Sequence, residues 1–328
     1  MGTQVLAGDV GGTNARLAIV DVEGTTARVV REERYASRNY PGLAPIVGEF
    51  CAEGGRPDRA AFGIACPIVD GDCHATNLPW TVNRTALARA IGIPRTRILN
   101  DFSAIGYGLA LLGEDDYVVL QEGVPAPRAP VALIGAGTGL GQGYLLWNGS
   151  RYEVYASEGG HADLAAHDAI EFGLVESLQR EFGHASVERL LSGPGIEYAY
   201  HHLAAAGVAP EQAAVHAELQ HGDAAAVITS HALDGSDPLC VRTLELFVTD
   251  LGAVAGDLAL TILATGGVYV GGGIAPRLVD LLRHDRFLGA FRGKGRLADL
   301  LTRIPVRVIM NPNVGLLGAA AVAAALPD

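Results

Sequence analysis

Hydrophobic and polar positions along the chain fall into short β-branched runs separated by glycine-rich breaks. "QVLAGDV" and "ARLAIVDV" are the first two runs, with Gly11 and Gly12 between them. That is the signal of a hairpin rather than of a strand leading into a helix. "ARVVREERY", after the "EGTT" turn, reads as a third strand. "LAPIVGEFCAEG" has helical spacing and a glycine stop. "AAFGIAC" reads as a buried strand, and "CHATNLPW" as another after an Asp70–Gly71 turn. "RTALARAIG" is helical, and "TRILN" is a strand that ends on a polar tip. Strands followed by alternating helices and strands predict a mixed sheet with helices on its faces.

The pattern then restarts. "VALIGAGTGLGQGYLLW", Val131 to Trp147, is again an apolar run, a glycine turn and an apolar run, and "RYEVYA" follows as a third strand. Setting Gly8 against Gly135 makes the two stretches run in parallel, which reads as an internal duplication of one hairpin module. A mostly helical stretch spans about Ala166 to Leu263. "GGVYVGGGIAPR" and "IPVRVIM" are late strands, and "GLLGAAAVAAAL" is a helix of small residues. "EGVPAPRAP" is the Pro-rich loop. The expected class is α/β, with a small domain of residues 1–110 plus 305–328 and a large one of residues 111–304. Two similar lobes predict a cleft between them.

Length and charge narrow the function. A chain of 328 residues suits two domains rather than one core. Its formal net charge of −12 weighs against a nucleic-acid binder, which normally carries a basic surplus. The N-terminus has neither a basic n-region nor a long apolar h-region. The most apolar long run, Leu251 to Ala275, contains Asp257 and several glycines, so it predicts a buried helix and a strand rather than a membrane span. A cytoplasmic protein with no membrane partner is expected. Cys51, Cys66, Cys73 and Cys240 show no C-x-x-C spacing and read as reduced thiols.

The glycine turns suggest chemistry. A turn without Cβ atoms lets backbone N–H groups approach an anion. Gly12 is expected at positive φ, where a branched side chain would be strained. The P-loop is excluded: the chain's one lysine, Lys294, is followed by glycine, not Ser or Thr. The dinucleotide fingerprint is absent as well, since "GAGTGLG" opens a strand and not a helix. Asp9, at a strand end beside such a turn, can hold Mg²⁺ directly or through water, although a turn-capping role is the alternative. Asn100 and Asp101 sit where a strand ends, and they read equally well as ligand-binding groups or as a helix N-cap. Glu158 and His161 flank two glycines, and Glu188 stands on a short helix closed by a Ser-Gly-Pro-Gly turn. A Glu/His pair could be half of a metal site, but no third ligand of the usual spacing is evident. Carboxylates and an amide suit a sugar better, because each can bridge several hydroxyls.

Taken in order, "GDVGGTNARLAI", "IACPI", "TNLPW", "LNDFSAIGYGL", "GAGTGLGQG", "EGGHADLA", "ERLLSGPG", "GGVYVGGGIAPR" and "GLLGAAA" resemble the motifs of bacterial glucokinases of the proteobacterial type. These are ATP-dependent hexose kinases of the sugar-kinase, Hsc70 and actin superfamily. The resemblance covers essentially the whole chain. It implies a two-lobed actin-like, ribonuclease H-like fold and phosphorylation of D-glucose at its 6-hydroxyl. It implies MgATP as cosubstrate, with Gly8, Asp9, Val10, Gly11, Gly12 and Thr13 as the first phosphate loop. Gly137, Thr138 and Gly139 would serve in the second, and Gly272 in an adenosine motif. Asp101 matches the general base, and Asn100, Asp101, Glu158, His161 and Glu188 match the sugar-holding residues. A homodimer is expected. The related repressor/kinase branch carries a cysteine-rich zinc motif that this chain lacks, so no structural zinc is expected. The rival readings are a kinase for another hexose, a non-catalytic sugar sensor on the same fold, and an actin-like assembly protein. A sensor of this kind would add a basic helix-turn-helix, and an assembly protein would have no use for Asp101, Glu158 and Glu188 together.

Overall fold

A computed structural model describes residues 2–327 apart from Pro67, Asp70, Gly71 and 75–79. The expected Asp70–Gly71 turn and the body of the "CHATNLPW" strand lie outside the described residues. The chain folds as two compact units. One comprises Met1–Asp116, Glu153–Ala156 and Asn311–Asp328, and the other Tyr117–Tyr152 and Ser157–Met310.

The first unit is built on a sheet of β1 (Thr3–Val10), β2 (Asn14–Glu23), β3 (Thr26–Ala36), β4 (Arg59–Ile64) and a later strand, Arg95–Asn100. The first two strands pair as the predicted hairpin, with Val10 opposite Ala15. Period-two alternation sends Leu6, Leu17 and Ile19 to one face, and Val5, Ala7, Ala18 and Val20 to the other. Helix α1 (Leu43–Ala52) covers the first face with Leu43, Ile46, Val47 and Phe50, the i, i+3, i+4, i+7 stripe of an amphipathic helix. The C-terminal helix, Val314–Ala324, covers the second with Leu316, Ala319, Ala320 and Ala323.

Three short strands, β5 (Ile68–Val69), β6 (Asp72–His74) and β7 (Thr81–Asn83), form a separate small sheet. Helix α2 (Arg84–Ile91) follows. Asn83 caps its start by accepting from Ala86 N–H, and Gly92 ends it at φ 69°. The strand Arg95–Asn100 is β8, and α3 (Asp101–Gly108) leaves it directly. The sheet order is β3-β2-β1-β4-β8, with β1, β4 and β8 parallel.

The second sheet repeats this plan. Its strands are β9 (Tyr117–Gln121), β10 (Val131–Ala136), β11 (Leu140–Trp147), β12 (Tyr152–Ser157), β13 (Gly267–Gly271) and β14 (Val306–Ile309). The order is β12-β11-β10-β13-β14-β9. Its first five members copy the first sheet strand for strand: an antiparallel hairpin, then two parallel neighbours. β9 is an addition, antiparallel to β14 at the outer edge. The helical insert between the two halves of this sheet holds α4 (Ala169–Phe182), α5 (Gly193–Ala205), α6 (Ala213–Leu219), α7 (Ala224–Leu233) and α8 (Pro238–Thr261). Three shorter helices, α9 (Val279–Leu282), α10 (Asp285–Arg292) and α11 (Ala298–Arg303), lead to β14. The apolar run from Leu251 therefore divides into the end of α8 and then β13, as its glycines and Asp257 imply. Among the described residues no helix is long and apolar enough to cross a membrane. Lys294 donates to Asp257 at 2.6 Å.

Two expectations are corrected. Cys66 and Cys73 are not free thiols. They form a disulfide with their Cα atoms 5.8 Å apart, because the β5–β6 hairpin sets Ile68 opposite Cys73 and so folds the chain back on Cys66. Cys51 and Cys240 are free and buried. Gly12 is not among the residues at positive φ. The first turn closes instead through a Gly11 N–H bond to the Asn14 carbonyl at 2.9 Å, which an ordinary backbone supports.

The C-terminal helix crosses α3 at backbone contact. A Cβ on Gly318 would lie 1.8 Å from the Ala104 carbonyl oxygen. Gly318→Ala is therefore expected to destabilise the chain by about 2 kcal/mol or more, since overpacking that must move backbone stands at or above the upper part of its usual ~1–3 kcal/mol range. Gly48→Ala, in α1 with nothing within 4 Å, should stabilise by about 0.5–1 kcal/mol through helix propensity. Urea denaturation of both variants checks the contrast, and equal midpoints would refute the contact.

Candidate active site

In the first unit, parallel pairing brings three strand ends into one row. Val10 of β1 stands beside Ile64 of β4, and Ile64 beside Asn100 of β8. Asp9, the glycine turn, Asn100 and Asp101 thus share the carboxyl edge of one sheet, where open α/β sheets place their ligands.

Ser37 holds the turn. Fully buried, it donates through its hydroxyl to the Gly11 carbonyl at 2.9 Å and through its N–H to the Thr13 carbonyl at 3.0 Å. Gly8 and Val10 face the core. A Cβ on Gly8 would meet the Phe62 ring at 2.5 Å, so these two residues can offer a ligand only their backbone. Asp9 is half-buried opposite Arg16 on β2. Burial raises its carboxyl pKa, Arg16 opposes that, and Glu32 adds to it. Arg16 is fixed in turn, by Glu32 at 2.8 Å and by the side chain of Asn313.

Asn100 is the N-cap of α3. Its Oδ1 accepts from Ser103 N–H at 3.1 Å, and its Nδ2 donates to the Cys66 carbonyl at 3.1 Å. Asp101 opens the helix, half-buried, with Oδ1 accepting from Phe102 N–H at 2.9 Å.

In the second unit, Glu158, His161 and Glu188 come together. The His161 ring lies 3.9 Å from Glu158 Oε2 through Nε2 and 4.0 Å from Glu188 Oε1 through Nδ1. Glu188 stands on a single 3₁₀ turn, Val187–Arg189, the short helix expected there. The Ser-Gly-Pro-Gly run begins α5, where Ser192 caps by accepting from Gly195 N–H at 3.1 Å. Glu188 Oε2 accepts the Leu140 N–H at 2.8 Å. It is therefore fastened to the β10–β11 hairpin beside Gly139.

That hairpin turn, Gly137–Gly139, borders a cavity of about 480 Å³ lined by Gly137, Thr138, Gly193, Pro194, Gly273 and Arg277 among others. Gly193 N–H donates to the Gly137 carbonyl at 2.8 Å, which joins the start of α5 to the turn. Gly272 has φ 83°, and a Cβ there would strike the Ala136 carbonyl oxygen at 2.3 Å. Only glycine suits that position, because the turn after β13 must pass against the end of β10.

A glucokinase family model matches residues 6–326 of the chain. The glucokinase of Nostoc sp. (strain PCC 7120) is 41% identical, over 99% of this chain and 100% of that protein. The glucokinase of Cronobacter sakazakii is 37% identical, over 96% and 95%. Among solved structures, a glucokinase from an Antarctic psychrotroph superposes with a TM-score of 0.84, at 32% identity and 98% coverage of both chains. The chain belongs to the glucokinase family. It is an ATP-dependent glucose kinase of two-lobed, actin-like fold. A ROK family glucokinase from Streptomyces griseus, crystallised with glucose and AMPPNP, superposes with a TM-score of 0.66 at 25% identity.

The residues singled out for this family fall into two sets, each gathered within its own unit. Sequence reasoning missed Ser37, Arg16, Pro194 and Arg277. Ser37 and Arg16 act on the first turn across strand pairings, which no local motif announces. Pro194 lies inside the Ser-Gly-Pro-Gly run, read before as a stop signal, and Arg277 inside the quoted "GGGIAPR" stretch.

Gly139 offers a test of the Glu188 brace. A Cβ there would lie 2.4 Å from Glu188 Oε2, so the carboxylate must leave Leu140 N–H. A charge-assisted hydrogen bond is worth about 1.5–3 kcal/mol, so Gly139→Ala is expected to lose about that much stability. Urea denaturation checks it, and an unchanged midpoint would show that the brace contributes nothing to the fold.

Proposed function

We propose that Asp101 is the general base for transfer of the γ-phosphoryl group of ATP to the 6-hydroxyl of D-glucose. The observation that carries this reading is the shared sheet edge: the first glycine turn and Asp101 follow the carboxyl ends of β1 and β8, parallel strands of one unit with only β4 between them. Asp101 takes the proton of the 6-hydroxyl as that oxygen attacks the γ-phosphorus. Asn100, Glu158, His161 and Glu188 hold the remaining sugar hydroxyls. The two turns present backbone N–H groups of Gly12, Thr13, Thr138 and Gly139 to the phosphates, since those of Gly11 and Gly137 close the turns themselves, and the cavity beside Gly273 and Arg277 takes the nucleoside.

Asp9 is the residue placed to hold Mg²⁺, directly or through water. Its burial raises its pKa, an effect that an adjacent dication offsets. When bound, the ion neutralises charge on the phosphate oxygens. The rest of the catalysis is positioning and charge stabilisation by fixed groups. Such a reaction draws on the ATP pool of the cytoplasm.

Asp101→Asn keeps the shape of the side chain and removes the proton acceptor. Its kcat should fall about 10²–10⁴-fold while glucose affinity, measured by calorimetry, stays nearly unchanged. Retention of most of kcat would reduce Asp101 to the first residue of a helix.

Glu188→Gln keeps an acceptor for Leu140 N–H and loses only the charge. On the proposed contact with the 1- and 2-hydroxyl edge of the sugar, kcat/KM for glucose should drop by roughly 10- to 150-fold, the equivalent of about 1.5–3 kcal/mol. The drop should be much smaller for 2-deoxyglucose, and ATP affinity should barely move. Equal losses for the two sugars would remove Glu188 from that edge of the ring.

A further inference from the structure

We propose that His167, Glu171 and Asp250 form a site for a first-row divalent cation, best suited to Zn²⁺. One donor atom from each residue lies within 4.8 Å of the others. His167 precedes α4, Glu171 is in its first turn, and Asp250 is midway along α8. The site would pin the start of one helix to the centre of another.

Helix capping explains part of this cluster. Asp168 caps α4 by accepting from Ile170 and Glu171 N–H, and Glu171 Oε2 accepts the His167 N–H at 2.5 Å. Capping leaves Asp250 without a purpose. Its side chain is 1% exposed, and Glu171 is 5% exposed. One Asp250 oxygen is 3.9 Å from His167 Nε2, and the other is buried with no hydrogen-bond partner among the described residues. Two carboxylates enclosed together repel, and a buried acceptor without a partner is expensive. The nearby arginines are engaged elsewhere: Arg242 and Arg286 both bind Glu245. A cation between the three residues resolves both costs.

The donor set selects the ion. Mg²⁺ and Ca²⁺ take oxygen ligands almost throughout, whereas one imidazole with two carboxylates suits zinc. Zinc sits about 2.0–2.2 Å from such donors, so the side chains would close by about an ångström around it. Three protein ligands leave a fourth position for water. The absence of a cysteine-rich motif, which led to the expectation of no zinc, does not bear on a site that uses no cysteine.

The test uses the full chain, stripped with a chelator and then titrated with Zn²⁺ by calorimetry and with Co²⁺ by visible absorption. One zinc per chain is expected, together with a raised thermal midpoint and the intense spectrum of low-symmetry cobalt. His167→Gln and Asp250→Asn should each weaken zinc binding by at least about 10- to 100-fold, the loss seen even for residues that only support a metal ligand. His161→Gln, in the other His/Glu group, should bind as the unmodified chain does. No stoichiometric zinc, or equal affinity in His167→Gln and the unmodified chain, would overturn the site. The His167 side chain is 46% exposed, so that variant decides the matter even if Asp250→Asn fails to fold.

Discussion

The position of Asp101 depends on how closely three stretches of backbone approach one another. α3 packs against both β4 and the C-terminal helix with almost no side chain at either contact. A Cβ on Gly63 would be 2.9 Å from Ala104 Cβ, one on Gly108 would be 2.1 Å from the Val314 carbonyl, and Gly318 already abuts Ala104. Each glycine carries an entropic cost on folding and lowers helix or strand propensity. The return is a helix seated low on the sheet, whose first residue rests at the end of β8. Moving α3 outward by one methyl layer would lift Asp101 from the edge it shares with the first glycine turn. Close-packed interiors transmit such shifts rather than absorb them.

The same sheet plan, used twice, ends in two different chemistries. In the first unit the hairpin turn is flanked by Asp9 and locked by Ser37. In the second there is no acid at the matching strand end, and a carboxylate from elsewhere in the chain, Glu188, is fastened to the turn. The loops differ in length as well: four residues separate Val10 from Ala15, and three separate Ala136 from Leu140. A duplicated backbone therefore supplies two sets of turn N–H groups, while the side chains around each set have diverged. A carboxylate beside a cation suits one end of a polyphosphate, and neutral donors such as Thr138 suit the other.

Much of this was legible in the sequence because its signals are local. The two hairpins, α1, α2, β8 and the small-residue C-terminal helix are where period, glycine stops and β-branched runs put them. β9 went unnamed. "YVVLQ" is short and mostly half-buried, and its partner β14 is distant in the chain. The short helices α9 to α11 have too few turns to show a period. The contacts that define the sites were less legible. Cys66 with Cys73, Glu188 with Leu140 and His167 with Asp250 each depend on where the chain returns in space, and residue spacing does not encode that. Gly12 shows the converse error: a glycine in a phosphate turn suggests positive φ, yet this turn reaches its shape without it.

Asn100 shows why a structural and a functional reading of one residue need not compete. Its side-chain amide has two donor hydrogens and an oxygen with two lone pairs. The cap commits one lone pair to Ser103 N–H, and the Cys66 carbonyl takes one hydrogen. Among the described residues, one donor and one lone pair remain, and the two existing bonds fix the plane in which they point. A sugar hydroxyl meeting that amide finds it already oriented, so binding does not have to immobilise the side chain. The Cys66 carbonyl is itself restrained, since the Cys66–Cys73 disulfide ties its segment to β6. The orientation of Asn100 thus passes from a covalent cross-link through a carbonyl to an amide. The next residue along the chain is Asp101, so the device that orients the Asn100 amide also fixes the backbone from which the proposed base projects.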